Sequence, residues 1–159
     1  MKINSIYEIL KVIAAIVICE LAGVIGSLFT VSSVGTWYST INKPSFNPPS
    51  WVFGPVWITL YAMMGISLYL VWRSGNRSWL VFGVFGLQLI LNALWSILFF
   101  GLHSPGLAFA EIILLWLSII ASIVLFFGTS RPAAYLLIPY VLWVSFAAVL
   151  NFAIWRLNI

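Results

Sequence analysis

Charged residues are scarce in this sequence. Its 159 residues include seven lysines and arginines and three acidic residues, a charged fraction of 6%. A soluble domain has about 25% charged residues and needs them to cover its surface. Hydrophobic residues make up 64% of the chain, and the mean hydropathy is +1.15. This scarcity of charge excludes an ordinary water-soluble fold and favours a membrane protein.

Residue types that carry conventional catalysis are also nearly absent. Cys19 is the only cysteine, so an intrachain disulfide is impossible. His103 is the only histidine and lies in a loop, which excludes a bis-histidine haem or a histidine-rich metal site within one chain. The sequence has no mid-span lysine for a Schiff base, no glycine-rich phosphate loop and no obvious nucleophilic triad. We therefore expect no metal site, no obligatory cofactor and no conventional hydrolytic activity.

The formal charge of +4 does not indicate nucleic-acid binding. The basic residues occur singly along the chain and form neither a run nor a stripe. A nucleic-acid interface needs such clustering to neutralise neighbouring phosphates. We expect no nucleic-acid partner.

Long apolar stretches separated by short polar turns dominate the chain. A helix needs about 20 residues at about 1.5 Å each to cross the hydrocarbon core of a bilayer. The first stretch is too long for a signal peptide, contains Glu20 and lacks a small-residue cleavage site, so we interpret it as a mature helix. The sequence thus predicts a single all-α membrane domain, a bundle of five transmembrane helices at 6–30, 51–72, 78–100, 105–127 and 133–156.

The segment 31–50 is too long and too rich in proline, serine and threonine to be a simple turn. Trp37, Tyr38 and Phe46 provide apolar contacts, which predicts a folded lid over one mouth of the bundle. The alternative is that these rings form an aromatic belt at the membrane interface.

The distribution of basic residues predicts the orientation. An odd number of spans places the two termini on opposite sides of the membrane. Five basic residues fall on the N-terminal side and two on the other, which favours a cytoplasmic N-terminus and a lid on the far side. The two groups are Lys2, Lys11, Arg73, Arg77 and Arg131, and Lys43 and Arg156.

The third predicted span has two distinct faces. Gln88, Asn92 and Trp95 share one face with Phe99, because their spacings are four, three and four residues. Amides facing lipid are costly, so this face should point into the bundle, to bind a ligand or only to hydrogen-bond neighbouring helices. The other face is a ridge suited to close helix packing, including packing on a second copy of the chain. It comprises Gly83, Gly86, Ile90, Ala93 and Ile97.

The fifth predicted span repeats the polar and aromatic pattern. Tyr140, Trp143, Ala147, Leu150 and Asn151 lie on one face. Wide rings beside a small alanine would leave a slot suited to a flat, largely apolar ligand with polar edges. The alternative is that the rings simply fill the core.

Two acidic residues lie inside predicted spans. Intramembrane carboxyls are functional candidates, or else are neutral and hydrogen-bonded. We favour the structural role for Glu20. Glu111 shares one side of its helix with Leu114, Ser118 and Ser122, which suggests an inward polar seam.

A family resemblance rests on motifs along nearly the whole chain. The most specific runs from Lys43 to Trp57, with the sequence KPSFNPPSWVFGPVW, and follows Trp37-Tyr38. The match continues through 60–65, 88–101 and 139–151. The chain resembles the translocator protein family, also called TspO, tryptophan-rich sensory protein or peripheral-type benzodiazepine receptor.

The resemblance implies a five-helix fold, usually a homodimer, with a pocket capped by the first loop. Members bind porphyrins such as protoporphyrin IX and haem, isoquinoline and benzodiazepine ligands and, in animals, cholesterol; bacterial members are linked to tetrapyrrole regulation and stress responses. Matching of the family motifs implies that the pocket residues are Trp51, Asn92, Trp95, Ala110, Leu114, Trp143, Ala147 and Leu150. Gln88 is added to this set because it shares a helical face with Asn92 and Trp95.

One motif departs from the family pattern. Where animal members have a tyrosine in their cholesterol motif, this chain has Phe152 between Leu150 and Arg156, so we predict no specific sterol binding. The chain stops at Ile159 without a basic tail, and we expect a protein of the bacterial cell membrane.

Three functional hypotheses follow from the same pocket. The first is a membrane receptor or sensor for porphyrins. The second is light-dependent porphyrin degradation, with Trp51 and Trp143 as redox-active rings. The third is a porphyrin transporter. Sequence cannot choose among them, because all three need the same cavity.

Overall fold

The computed structural model describes residues 2–75 and 78–159. Within those ranges the chain is 85% helical and has no strand. The helices are α1 (Lys2–Val34), α2 (Trp37–Thr40), α3 (Phe53–Arg73), α4 (Trp79–Ser96), α5 (Pro105–Phe127), α6 (Arg131–Leu136) and α7 (Ile138–Leu157). A 3-10 turn (Ser50–Val52) leads into α3, and a π-helical turn (Ile97–Gly101) continues α4.

Five segments are long and apolar enough to cross a membrane, which confirms the predicted all-α bundle. They are Ile6–Val34, Ser50–Arg73, Trp79–Gly101, Pro105–Phe127 and Arg131–Leu157. The protein is therefore an integral membrane protein.

The observed helices differ from the predicted ones at two places. The first helix continues through a serine- and threonine-rich stretch to Val34, and hydroxyls there are satisfied within the helix, as Thr30 donates to the Gly26 carbonyl. The last span divides at Leu137, where Pro139 begins a new helix without needing a backbone N–H. The polar turn after Arg73 was predicted to include Asn76 and Arg77, which lie outside the described residues.

The core lies between α3, α4 and α5 in the half of the bundle farthest from the segment 35–49. Phe85 stacks on Phe126 at 5.4 Å between ring centroids, and Met64 and Ile119 are fully buried beside them. Next to this core, α1 packs on α3 and α4, and α5 packs on α4 and α7. This half of the bundle is solid.

A glycine sets the distance between α1 and α3. A Cβ at Gly65 would lie 2.7 Å from the backbone nitrogen and 2.8 Å from Cγ1 of Ile16. The two backbones approach this closely only because Gly65 has no side chain, the usual role of small residues between transmembrane helices.

The segment 35–49 folds over one end of the bundle, and we call it the lid. Trp37 stacks on His103 at 4.5 Å, and the Tyr38 hydroxyl donates to Oδ1 of Asn47 at 2.8 Å. Burial raises the pKa of the Tyr38 hydroxyl, so it remains a hydrogen-bond donor at neutral pH. The lid is therefore held by rings on one side and by hydrogen bonds within itself.

The lid is also tied to the end of α7 by a reciprocal pair of asparagines. The backbone nitrogen of Asn42 donates to Oδ1 of Asn158 at 2.9 Å, and Nδ2 of Asn158 donates to the Asn42 carbonyl at 2.9 Å.

Substituting Gly65 by alanine should destabilise the protein by about 1–3 kcal/mol, because the added methyl overpacks the contact with Ile16. Thermal unfolding in detergent measures the effect. Gly54→Ala, in the same helix, is the control, since its Cβ would have nothing within 4 Å, and helix propensity favours it by about 0.5–1 kcal/mol. Equal losses of stability in the two variants would contradict the proposed contact.

Substituting Asn158 by alanine should loosen the lid. Each of the removed hydrogen bonds contributes about 0.5–1.5 kcal/mol, so amide hydrogen exchange across 35–49 should accelerate while exchange in α4 and α5 stays slow. Asn158→Asp keeps the acceptor but not the donors and should give an intermediate rate. Unchanged exchange in both variants would show that the asparagine pair does not hold the lid.

Candidate ligand-binding cavity

A cavity of about 600 Å³ lies beneath the lid, between α1, α3, α4 and α7. Its walls are mainly apolar and aromatic. The lining residues include Glu20, Gly23, Val24, Ser27, Thr30 and Val31 of α1, Phe53, Gly54, Trp57, Ile58 and Tyr61 of α3, Asn92, Trp95 and Ser96 of α4, and Trp143, Ala147, Leu150, Asn151 and Ile154 of α7.

Aromatic contacts fix the shape of the walls. Trp95 stacks on Phe99 at 5.2 Å, and Phe53 meets Trp143 edge-on at 6.0 Å across the space between α3 and α7. Trp57 lies edge-on to Tyr140 at 6.3 Å. Rings held by other rings keep their planes, so the cavity presents flat surfaces for stacking.

A buried hydrogen-bond network forms the inner end of the cavity. The Tyr61 hydroxyl donates to Oδ1 of Asn92 at 2.6 Å, and Nδ2 of Asn92 donates to the Tyr140 hydroxyl at 2.7 Å. The Tyr140 hydroxyl in turn donates to Oε1 of Gln88 at 2.8 Å. Gln88 and Asn92 therefore make the interhelical hydrogen bonds proposed as the alternative to ligand binding, while Asn92 also lines the cavity.

A second pair of bonds fixes Trp95. Its Nε1 donates to Oδ1 of Asn151 at 2.9 Å, and Nδ2 of Asn151 donates to the carbonyl of Pro105 at 2.8 Å. The indole nitrogen of Trp95 is thus engaged, and its ring is oriented by α7 and the start of α5.

Trp143 differs from Trp95 in this respect. Its Nε1 is buried and bonds to no residue that the structure describes, while its ring lines the cavity. A buried N–H without a partner costs about 1–3 kcal/mol.

The two intramembrane acids have different positions. Glu20 lines the cavity, whereas Glu111 is buried in α5 outside it. Neither carboxyl oxygen of Glu111 has a hydrogen-bond partner among the described residues.

Five of the residues predicted as pocket residues line this one cavity, namely Asn92, Trp95, Trp143, Ala147 and Leu150. They come from α4 and α7, the two helices whose polar and aromatic faces were identified by spacing. Their contact with a ligand remains a prediction.

Four other predicted residues lie outside the cavity wall. Trp51 is 76% exposed, because the 3-10 turn directs it outward while Ser50 and Phe53 line the cavity. Gln88 is buried about one helical turn below Asn92. Ala110 and Leu114 are exposed on the outer face of α5, a helix that contributes no lining residue.

Sequence analysis missed the contribution of α3. Phe53, Trp57 and Tyr61 all line the cavity. They are spaced by four residues, which places them on one helical face. That spacing could have identified them, but the motif segments containing them, 43–57 and 60–65, were used for the family resemblance and not to place these three side chains. The α1 wall carries no comparable signal, since its lining residues are mostly small or aliphatic.

Comparison with known proteins identifies the family. Residues 15–156 match the model of the TspO/MBR family. A "Tryptophan-rich protein TspO" of Archaeoglobus fulgidus is 48% identical over 153 residues, covering 95% of this chain and 99% of the relative.

Two further relatives bear different names. A human "Translocator protein" is 38% identical over 138 residues, covering 84% of this chain and 82% of the relative. A "Tryptophan-rich sensory protein" of Cereibacter sphaeroides is 37% identical over 123 residues, 77% of each chain. The match spans all five transmembrane segments, and the chain belongs to the TspO/MBR family.

Proposed function

We propose that the protein is a membrane receptor or sensor that binds a porphyrin, such as protoporphyrin IX or haem, in the cavity beneath the lid. The observation that carries this proposal is the cavity itself, about 600 Å³ in volume and walled by Trp57, Trp95 and Trp143. Ligand pockets measure about 300–1,000 Å³. The names of the sensory and translocator relatives support a receptor role.

The chemistry of the walls favours a flat ligand with a few polar atoms at its edge. Fixed indole rings offer stacking surfaces, and the lining also includes the polar side chains of Glu20 and Ser96. Porphyrins combine a flat apolar ring with carboxylate side chains, and isoquinoline or benzodiazepine ligands combine fused rings with a carbonyl. The same slot therefore suits both classes.

The lining residues favour a porphyrin held by its ring and not by a metal. His103 lies against Trp37 of the lid and is not a lining residue, and none of the lining residues is a histidine. We therefore propose that free-base porphyrin binds as readily as haem.

Titration with protoporphyrin IX should quench tryptophan fluorescence saturably in the wild-type protein. Trp143→Ala should weaken binding about tenfold or more, because it removes a stacking surface from the cavity wall. Trp79→Ala is the control, since Trp79 is 82% exposed at the start of α4 and does not line the cavity.

Trp51→Ala belongs in the same series. Its exposed position predicts a smaller loss of affinity than that of Trp143→Ala. Absence of saturable quenching, or equal affinity in the Trp143 and Trp79 variants, would refute the proposed site.

We further propose that two copies of the chain pack through the small-residue ridge of α4. The first part of the ridge faces outward, where Ile90 is 67% exposed and a Cβ at Gly86 would meet nothing within 4 Å, whereas Ala93 lies against Gly26 of α1. Small exposed residues allow two transmembrane helices to approach closely.

In a Cys19→Ser background, Ile90→Cys should therefore form a disulfide-linked dimer in bilayers under mild oxidation. Val149→Cys, on the outer face of α7 and 60% exposed, should not. Cross-linking at Val149 with none at Ile90 would place the dimer contact elsewhere.

A further inference from the structure

The cavity is covered at one end by the lid, which is tied to α7 by the Asn42–Asn158 pair. The walls from α4 and α7 are closed as well, because their lining residues are buried or half-buried; Asn92 is 3% and Leu150 is 5% exposed. The cavity therefore has no opening through the walls formed by α4 and α7.

The exposed lining residues lie along two facing rows. On α1 they include Val24 and Val31, which are 52% and 77% exposed. On α3 they include Gly54, which is exposed, and Ile58, which is 62% exposed. Residues that both line the cavity and are exposed occur only on these two helices and at the adjoining positions 35 and 50. The cavity therefore opens sideways between α1 and α3. We call the opening bordered by these four residues the portal.

The packing of α1 on α3 explains why the portal has this position. The helices touch at Gly65, beside Ile16, and again at Gly23, where a Cβ would lie 2.7 Å from Cδ2 of Tyr61. Beyond Gly23 the cavity separates them, so they form a wedge that widens toward the lid. Its closed end is fixed by two glycine contacts.

The four residues that border the portal belong to segments long and apolar enough to cross a membrane. Val24 and Val31 belong to the span Ile6–Val34, and Gly54 and Ile58 belong to the span Ser50–Arg73. All four are apolar, as expected of residues that contact lipid. Ser27, between Val24 and Val31 on α1, is also exposed and lines the cavity, but its hydroxyl already donates to the Val24 carbonyl at 2.8 Å. Small molecules in the surrounding bilayer can therefore reach the aromatic walls past apolar side chains and one hydroxyl that is already hydrogen-bonded.

We propose that the portal admits the ligand directly from the bilayer and that its occupant is a flat aromatic molecule dissolved in the membrane. The proposal rests on the proposed function for the class of ligand and adds its route. A lateral route leaves the hydrogen bonds of the lid intact, whereas an axial route would have to break them. A large apolar ligand is also far more concentrated in the bilayer than in water.

Binding kinetics in lipid nanodiscs test the route. Gly54→Phe should obstruct the portal without a clash in the protein, because a Cβ there meets nothing within 4 Å, and Val24→Phe should obstruct the opposite row. Association and dissociation of protoporphyrin IX should both slow about tenfold, which corresponds to a barrier raised by about 1.4 kcal/mol. Val149→Phe, on the outer face of α7, is the matched control and should leave both rates unchanged.

The Asn158→Ala variant, in which the lid is loosened, tests the alternative axial route past the lid. Asn158→Ala should not change either rate if the ligand passes between α1 and α3. Faster association in Asn158→Ala, together with unchanged rates in the portal variants, would establish an axial route and overturn the proposal.

A readout without porphyrin separates the portal from the proposed function. Lipids with brominated acyl chains should quench part of the cavity tryptophan emission through the portal, and this part should fall in Gly54→Phe but not in Val149→Phe. Equal quenching in the two variants would overturn the portal even if porphyrin binds. If porphyrin does not bind but the two variants still differ in quenching, the proposed ligand is wrong and the portal remains supported.

Discussion

The hydrogen-bond network at the inner end of the cavity is the interaction on which the site depends. Tyr61, Asn92 and Tyr140 join α3, α4 and α7 by bonds of 2.6 and 2.7 Å, and all three are buried, where an unpaired amide is costly. Along the lid half of the bundle, α3 and α7 are separated by the cavity and meet mainly through rings such as Phe53 and Trp143. The network sets the spacing of the walls, and the rings then define flat surfaces between them.

One half of the bundle is closely packed and stabilises the fold, and the other half contains the cavity. The half farthest from the lid is solid, with stacked Phe85 and Phe126 and the glycine contact at Gly65. The lid half is hollow and is closed by hydrogen bonds and stacked rings at the surface. Close packing at one end allows the other to keep a cavity, because the dense core supplies the dispersion attraction that side chains around the hollow lack. Because the closely packed half holds the helices together, α1 and α3 can lie apart beside the cavity.

Helical periodicity explains both the successes and the failures of sequence analysis at the site. Asn92, Trp95, Trp143 and Ala147 were found because polar and aromatic residues at spacings of three and four must share an inward face in lipid. Leu114 was assigned by family motif, yet the structure places it 57% exposed, since periodicity does not say which neighbour a face meets. Trp51 is directed outward by a short 3-10 turn, whose orientation no pattern in the sequence specified.

The sequence by itself determined the five spans, the long segment before the second span and the inward faces of α4 and α7. Each follows from local chemistry, namely apolar length, helix-breaking residues and the cost of amides in lipid. Tertiary structure alone decided that α3 and α1 complete the walls, that Gln88 serves the network and not the cavity, and that the opening lies between α1 and α3. These depend on how far apart helices sit, which is set by contacts such as Gly65 with Ile16 between residues distant in sequence.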